Sequence, residues 1–378
     1  MDETLIESVL AIAARSEEAA YHATAEHDPA KIAEVVLTEV AELTRMLPGP
    51  DEQVPVQWDL GFGAERLGYV MTVGGDGATV ESGWHEGADV VIRQDLTELL
   101  RTVYGEAGAH DSTREIFLNF PDGPPEADPA GRDPWRRAQG IAAARCATRA
   151  ATQNPVDLTE LALRTGADKW GRHWYTSFYE RYVGKFRDRN VRVLEISHDE
   201  GESLRMWTRY FRRGQLIRVD SREKSLRPPM RARTVHGVQD HELLAPLAAD
   251  RGPFDVVIDD GSRLNERVIS SFTALFPHLR PGGLYVIEAV GVSYWPAWGG
   301  SSTDLNSPAT TIGFVKTLLD GLNHQHIVRD GEYEPTLTDR TVSSVCMHHD
   351  ITVIEKGLNT ERAAPVWVRN ADSALFEG

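Results

Sequence analysis

The spacing of apolar residues divides the chain into two parts with different secondary structure. Over residues 4–46, apolar side chains recur at helical intervals, which predicts amphipathic helices. Over residues 54–93, apolar and polar residues alternate in short runs separated by turn signals, which predicts strands. A helix predicted over 95–104 follows. Meandering strands with a helix behind them indicate a small α+β unit.

The second part of the chain alternates strands and helices. Strands are predicted at 191–196, 215–220, 233–236, 254–260 and 284–288, with helices between them at 202–211, 240–249 and 265–279, and a helix at 309–322 precedes two final strands at 343–348 and 351–355. This alternation predicts an α/β fold with a Rossmann-like, doubly wound parallel sheet. We therefore predict an auxiliary α+β unit over residues 1–150 and the doubly wound domain over residues 151–378.

Acidic side chains stand at the ends of two neighbouring predicted strands. Asp259 and Asp260 end the apolar run that begins at Asp255, and Glu288 ends the next strand. Ligands of doubly wound sheets bind outside the carboxyl ends of the strands, and oxygen ligands suit a hard divalent cation. The alternative is that these carboxylates cap helices and turns. Because all three converge on one sheet edge, we predict a functional role.

The strand-to-helix turns predict where a nucleotide-like cofactor would bind. Asp220 ends the second strand, where an acidic residue can accept hydrogen bonds from ribose hydroxyls. The loop after the first strand, Ser197–Ser203, contains only Gly201 and three bulky polar residues. Such a loop is a poor cradle for a pyrophosphate, which argues against NAD, and it is also a poor loop for S-adenosylmethionine (SAM). The candidate cofactor-binding residues are Glu195, Ser197, Gly201, Ser203, Asp220 and Asp259.

Composition narrows the class of protein. The formal charge of −17 argues against nucleic acid as a partner, because nucleic-acid binders carry a basic patch. Two distant cysteines, an acidic N-terminus and the lack of a long apolar stretch favour a cytoplasmic protein without a membrane span.

Several segments together resemble the antibiotic-sugar O-methyltransferases, including those that act on macrolides. The segments are Gly166–Tyr175 (GADKWGRHWY), Ser203–Trp207 (SLRMW), Ile258–Ser262 (IDDGS), Leu279–Glu288 (LRPGGLYVIE), Ser293–Pro296 (SYWP) and Asp320–His324 (DGLNH). The resemblance implies a class I methyltransferase fold with SAM and magnesium as cofactors. It places Asp260 and Glu288 at metal positions and Asp220 at the ribose. It also implies a small-molecule natural product as substrate and a homo-oligomer, a dimer or a tetramer.

The auxiliary unit has a resemblance of its own, to sterol-carrier-like domains. It rests on the turn at Gly77, the strand Ala88–Ile92 and the helix that follows. In such domains a curved sheet shelters an apolar pocket. We predict that the unit serves oligomerisation or shapes a substrate pocket.

The chain departs from the family pattern at the chemical positions. Arg263 stands where the family has the histidine that acts as general base, and Arg267 replaces a second histidine. Ala289 replaces the carboxylate that follows Glu288, and the glycine-rich cofactor loop is missing. A guanidinium cannot accept a proton at neutral pH, so Arg263 cannot replace the base. Because Ala289 also removes one metal ligand, we predict a degraded magnesium site.

Three functions fit these residues. The first is SAM-dependent methyl transfer, with His173 or His198 as the base or with a substrate acidic enough to need none. The second is a repurposed fold for cyclisation, elimination, isomerisation or hydrolysis, with Arg263 and Arg267 stabilising negative charge. The third is a non-catalytic partner. The candidate catalytic residues are Asp259, Asp260, Arg263, Glu288 and His173, and the candidate substrate contacts are Tyr175, Arg267, Tyr294 and Trp295.

Overall fold

The computed structural model describes residues 3–105, 112–120, 134–152, 157–222, 228–327, 333–363 and 365. The N-terminal part contains helices α1 (Glu3–Ala13), α2 (Glu17–Ala25), α3 (Pro29–Thr44), α4 (Leu96–Tyr104) and α5 (Pro134–Ala151), and strands β1 (Val54–Phe62), β2 (Glu65–Gly74), β3 (Gly77–Ser82), β4 (Val90–Asp95) and β5 (Glu115–Leu118). In the described part of the chain, no helix is long and apolar enough to cross a membrane.

The N-terminal sheet is mixed, so the predicted meander holds for β1 to β3 but not for β4. Its strand order is β3-β2-β1-β4-β5. Strands β1, β2 and β3 form antiparallel hairpins, but β4 lies parallel to β1 on the other side. The chain from β3 to β4 therefore crosses the sheet, which local alternation of residues does not reveal. Strand β5 was not predicted, and its four residues are exposed.

The N-terminal helices bury their apolar faces against this sheet. Helix α3 begins at the N-cap Asp28, whose carboxylate accepts hydrogen bonds from two backbone N–H groups, and Pro29 is well tolerated in the first turn. Apolar residues of α3, α5 and the strands form one continuous core between Ile6 and Ala151. The sterol-carrier resemblance stays a prediction.

The C-terminal part contains helices α6 (Leu158–Thr165), α7 (Thr176–Val183), α8 (Glu202–Tyr210), α9 (His241–Arg251), α10 (Asn265–Leu275), α11 (Thr311–Leu322) and α12 (Leu337–Thr341), and strands β6 (Arg192–Ser197), β7 (Gln215–Asp220), β8 (Ala232–His236), β9 (Phe254–Asp260), β10 (Leu279–Glu288), β11 (Val342–His348) and β12 (Ile351–Lys356). The sheet order is β11-β12-β10-β9-β6-β7-β8. Strands β6 to β10 are mutually parallel and β12 is antiparallel to β10. The predicted doubly wound sheet is confirmed.

The strand order places a ligand crevice between β6 and β9. The chain winds outward from β6 through β7 and β8 in one direction and from β9 through β10 in the other, so the winding reverses between β6 and β9. A reversal of this kind opens a crevice at the carboxyl ends of the strands. Ser197 at the end of β6 lies beside Asp260 at the end of β9. Asp220 and Glu288 end the strands on either side.

The apolar cores suggest where the chain divides. One core draws on residues up to Ala151, and two further cores, one on each face of the seven-stranded sheet, draw on residues from Leu158 onward. We infer that the predicted boundary near residue 150 separates two folding units.

A buried ion pair joins the two units. Glu39 of α3 accepts hydrogen bonds from Arg231, at 2.8 Å from Nη2, and both side chains are almost fully buried. The same guanidinium donates to the backbone carbonyls of Phe211, Gly214 and Thr208. All three nitrogens of the Arg231 guanidinium thus donate to acceptors, as burial of a charge requires.

Removing Glu39 tests this interface. We expect Glu39→Ala to lower the free energy of unfolding by about 3–5 kcal/mol, because it leaves a buried guanidinium without its counter-ion. Glu42→Ala on the same helix is the matched control: its pair with Arg45 is solvent-exposed and should contribute less than about 1 kcal/mol. Denaturant titration measures both. Equal losses for the two variants would contradict a role for Glu39 in joining the units.

Candidate functional site at the carboxyl ends of the sheet

A lysine occupies the centre of the predicted carboxylate cluster. The side chain of Lys169 is fully buried, and its ammonium lies 2.5 Å from Asp260 Oδ2 and 2.8 Å from Glu288 Oε2. Asp168 Oδ1 is 3.5 Å away. The neighbouring carboxylates raise the pKa of Lys169, against the effect of burial. Lys169 lies in the GADKWGRHWY segment but was not among the predicted site residues.

A tight turn positions Lys169 at the carboxyl ends of the strands. The backbone N–H of His173 donates to the carbonyl of Asp168, and that of Tyr175 donates to the carbonyl of Lys169. The indole rings of Trp170 and Trp174 pack edge to face across the turn, with centroids 4.6 Å apart. The turn therefore directs Lys169 inward and leaves Trp174 exposed.

The carboxylate oxygens of Asp260 and Glu288 are already engaged by protein groups. Tyr179 on α7 donates to Glu288 Oε1, while Lys169 occupies Glu288 Oε2 and Asp260 Oδ2. The remaining oxygen, Asp260 Oδ1, has Arg263 Nη2 at 3.8 Å. Burial, together with the charge of Asp260, raises the pKa of Glu288, and the two donors oppose this shift.

These residues do not fit a magnesium site. Magnesium requires oxygen ligands in octahedral geometry, but here an ammonium fills the space between the two carboxylates. Ala289 offers no ligand atom in its side chain. Within the described ranges, no group of three or more histidine, cysteine or carboxylate side chains is arranged to hold a metal ion.

His173 lies on the same turn as Lys169 and is well placed for proton transfer. Its imidazole stacks on the ring of Tyr175, with centroids 4.8 Å apart. Nε2 is 3.8 Å from Asp168 Oδ2. Burial lowers the pKa of His173 below its ordinary value of 6.5, although Asp168 opposes this shift. A lowered pKa keeps the imidazole neutral at physiological pH, as a general base requires.

A second cluster lies under the loop that follows β6. Glu195 is buried, and its Oε1 accepts hydrogen bonds from the hydroxyl of Ser203 and the indole N–H of Trp207. Its Oε2 is buried and has no hydrogen-bond partner in the described part of the chain. Burial is the main cause that raises the pKa of Glu195 to about 7. A buried acceptor without a donor indicates a missing water or ligand group.

The glycine-poor cofactor loop is held by side chains. The carboxylate of Asp199 accepts the backbone N–H groups of Gly201 and Ser203 at the start of α8. Gly201 has φ 90°, a conformation that glycine adopts without strain. Buried Arg218 binds Asp199 and donates to Asp220 Oδ2 at 2.8 Å. The loop is thereby tied to the strand that carries Asp220.

Both carboxylate oxygens of Asp259 accept hydrogen bonds from protein donors. Gln239 Nε2 donates to its Oδ1 at 2.8 Å, and the hydroxyl of Tyr285 donates to its Oδ2 at 3.2 Å. Burial raises its pKa to about 7. Asp259 therefore holds neighbouring strands together, and its predicted catalytic and cofactor roles stay predictions.

The predicted substrate contacts differ in exposure. The ring of Tyr175 is only 3% exposed and its hydroxyl donates to Asp350 Oδ2, so its direct contact with substrate stays a prediction. Its ring supports His173. Tyr294 and Trp295 are 38% and 55% exposed in the segment after β10. Arg267 lies half-buried in the first turn of α10.

The crevice contains groups that fit SAM. An acidic side chain, Asp220, ends the second strand of the sheet, next to a helix start with a left-handed glycine, Gly201. The unpartnered Glu195 Oε2 offers an acceptor to an ammonium group such as that of SAM. Together with the strand order, these features define a class I methyltransferase domain that carries an auxiliary unit.

Known proteins match this chain over its whole length. A family model described as "MycE methyltransferase N-terminal" matches residues 6–114. The mycinamicin VI 2''-O-methyltransferase of Micromonospora griseorubida is 36% identical over 393 aligned positions, covering 100% of this chain and 96% of that protein. The demethylmacrocin O-methyltransferase of Streptomyces fradiae is 36% identical, covering 99% of this chain and 96% of that protein.

A solved structure also matches the full length of this chain. The MycE methyltransferase from the mycinamycin biosynthetic pathway, in complex with Mg, SAH and mycinamycin VI, superposes with a TM-score of 0.85 at 33% identity and covers 100% of this chain and 99% of that chain. The chain belongs to the family of antibiotic-sugar O-methyltransferases that includes these relatives. The predicted family and the methyltransferase class of enzyme are confirmed, and SAM is supported as the cofactor.

The raised pKa of Glu195 should make folding stability depend on pH, and this can be tested. Between pH 4.5 and about 7 the folded protein keeps this carboxyl protonated, while the unfolded chain releases the proton. Folding stability should therefore fall as pH rises through this window, by roughly 3 kcal/mol. Glu195→Gln removes this loss, so its stability relative to wild type should rise between pH 5 and pH 8.

Ser203→Ala should change the pH dependence of stability in the opposite direction from Glu195→Gln. It removes a donor that favours the charged carboxylate, so the loss of stability should extend to higher pH. Denaturant titrations at several pH values measure both variants. Curves parallel to wild type would show that Glu195 does not titrate in this range.

Proposed function

We propose that this protein methylates a hydroxyl group on the sugar of a glycosylated natural product, with SAM as the methyl donor. The observation that carries the cofactor part of the proposal is the buried Glu195 Oε2, which has no hydrogen-bond partner in the described part of the chain and lies beside the crevice. The relatives support the same chemistry, because they are O-methyltransferases that match the full chain. The solved MycE structure that matches the full chain is described in complex with Mg, SAH and mycinamycin VI.

The residues of the crevice have separate roles in this proposal. Bound SAM supplies an electrophilic methyl group on a sulfonium. Glu195 and the loop around Gly201 would hold its amino acid end, and Asp220 would accept hydrogen bonds from its ribose. Arg218 keeps the loop and Asp220 in register.

His173 is the base that we assign to the acceptor hydroxyl. Its imidazole is partly exposed, stacked on Tyr175 and beside Asp168, so it can accept a proton and hold the resulting charge. Asp168 would stabilise the imidazolium, as carboxylates do beside catalytic histidines. His198 is the other candidate; it lies 3.7 Å from Asp220 and belongs to the cofactor loop, not to the turn that carries Lys169.

Exposed aromatic side chains favour a bulky, partly apolar substrate. Trp174 on the Lys169 turn is 59% exposed, and Tyr294 and Trp295 follow Glu288 closely in the chain. Aromatic rings stack on sugars and on apolar ring systems while excluding water. We infer that these three residues contact the sugar or its aglycone.

The remaining parts of the proposal concern assembly and location. We propose a homo-oligomer, a dimer or a tetramer, in the cytoplasm. The auxiliary unit presents an exposed apolar edge at β5, which is suited to subunit contacts. The repurposed, non-methylating chemistry is not favoured by the comparisons.

Methyl transfer from labelled SAM tests the function directly. The acceptors are glycosylated macrolides and rhamnosylated aromatic polyketides, each paired with its aglycone, and calorimetry with SAH measures cofactor binding. We expect methylation of a glycoside and none of the matching aglycone. Conversion of a glycoside without SAM, or SAH that fails to bind, would contradict the proposal.

The role of His173 has its own test. We expect His173→Gln to lower kcat by about 10²-fold or more, as loss of a general base does, while SAH affinity is retained. In the wild type, activity should fall only as pH drops below 6.5, because the pKa of His173 is lowered, and this acid limb should disappear in the variant.

His241→Gln, an exposed histidine on α9, is the matched control for kcat. His198→Gln tests the competing assignment. A large loss of kcat in His198→Gln, with His173→Gln unaffected, would move the base to the cofactor loop.

A further inference from the structure

Two residues beside the Lys169 cluster hold backbone conformations that their side chains disfavour. Arg263 has φ 58° and Ala289 has φ 53°. Among residues other than glycine, Asn, Asp and His are several-fold enriched in this left-handed region, and such residues are held there at a conformational cost. The family pattern has histidine at the first position and a carboxylate at the second. The backbone thus keeps a form suited to those residues, although the side chains differ.

Compared with the family pattern, the site has one carboxylate fewer and one additional positive charge. With Ala289, one carboxylate is absent beside Glu288, and Arg263 adds a positive charge beside Asp260 at 3.8 Å. Lys169 contributes a further fixed positive charge between Asp260 and Glu288. Asp168 also lies 3.5 Å from this ammonium, so two protein cations face three carboxylates. They offset most of the negative charge that would attract a divalent ion, and the ammonium fills the space between Asp260 and Glu288.

We propose that methyl transfer in this protein is independent of metal: Lys169 fixes Asp260 and Glu288, and Arg263 supplies the positive charge beside the acceptor oxygen. This rests on the proposed function. Lys169 is fully buried, so it acts through the two carboxylates as a positioning residue. The side chain of Arg263 is about one-third exposed and can reach a ligand in the crevice.

The chemistry balances without a metal. The acceptor oxygen forms a bond to the methyl carbon, and the carbon–sulfur bond breaks with its electron pair going to sulfur. The hydroxyl proton passes to the imidazole of His173. Negative charge that develops on the oxygen is stabilised by the guanidinium of Arg263, a donor that stays charged at any working pH.

Metal binding to the wild-type protein is the first test, and it needs no turnover. Mn²⁺ is titrated with detection by electron paramagnetic resonance and Mg²⁺ by calorimetry, each at saturating SAH. We expect no saturable binding of either ion. Glycoside methylation should change by less than about twofold when EDTA replaces added magnesium, whereas a metal-assisted reaction would stop. Saturable binding that is lost in Asp260→Asn would overturn the proposal.

A designed variant tests the reason for metal independence. Lys169→Ala combined with Ala289→Asp removes the ammonium and restores a carboxylate at a position whose backbone suits it. We expect this double variant to bind Mn²⁺. Lys185→Ala combined with Ala289→Asp is the matched control, because Lys185 forms a partly exposed pair with Glu355, and it should bind none. Binding by the control at equal affinity would show that Lys169 does not exclude the metal.

Arg263 provides a test that does not depend on the folding of the Lys169 variant. We expect Arg263→Met to lower kcat by about 10²-fold, with unchanged SAH affinity, and Arg263→Lys to recover part of the loss. Unchanged kcat in Arg263→Met would overturn the role of the guanidinium. If SAH binds but no glycoside is methylated, only the proposed function fails, because the metal titrations stand separately.

Discussion

The ammonium of Lys169, buried between Asp260 and Glu288, is the interaction on which the arrangement of the site depends. Removing a charge from water costs several kcal/mol, and only close counter-ions with good geometry offset it. The ammonium has two carboxylates within 2.8 Å. This requirement fixes the ends of β9 and β10 relative to each other and closes the turn that carries His173. Tyr179 ties α7 to the same group through Glu288.

Buried cations serve the same purpose elsewhere in this acidic chain. Arg218 ties the cofactor loop to Asp220, and Arg231 ties the auxiliary unit to the doubly wound domain through Glu39. In each case the cation reaches acceptors that lie on different elements, so one side chain sets the relative position of several segments. A chain with a formal charge of −17 has many carboxylates to repel one another, and these internal cations lower that repulsion where segments meet.

The sequence predicted the sheet well because long apolar runs and alternating helices carry strong local signals. Asp260 and Glu288 were placed correctly at neighbouring strand ends for the same reason. Lys169 was missed as a site residue because its partners lie 91 and 119 residues away in the chain, and a single lysine in a polar turn gives no local signal of burial. The parallel pairing of β1 with β4 was missed for a similar reason, since strand patterns do not state which strands are neighbours.

A guanidinium and a divalent ion impose different demands on a substrate. A metal can gather two hydroxyl groups into its coordination shell and lower the pKa of one of them, whereas a guanidinium offers a planar set of donors with a fixed direction. Arg263 can thus orient and stabilise an oxygen but activates a hydroxyl less strongly, so proton removal falls to a separate base. His173 and Lys169 share one turn, closed by the backbone hydrogen bonds from His173 and Tyr175. Because the two side chains share this turn, a change that displaces Lys169 also shifts the imidazole that we propose as the base.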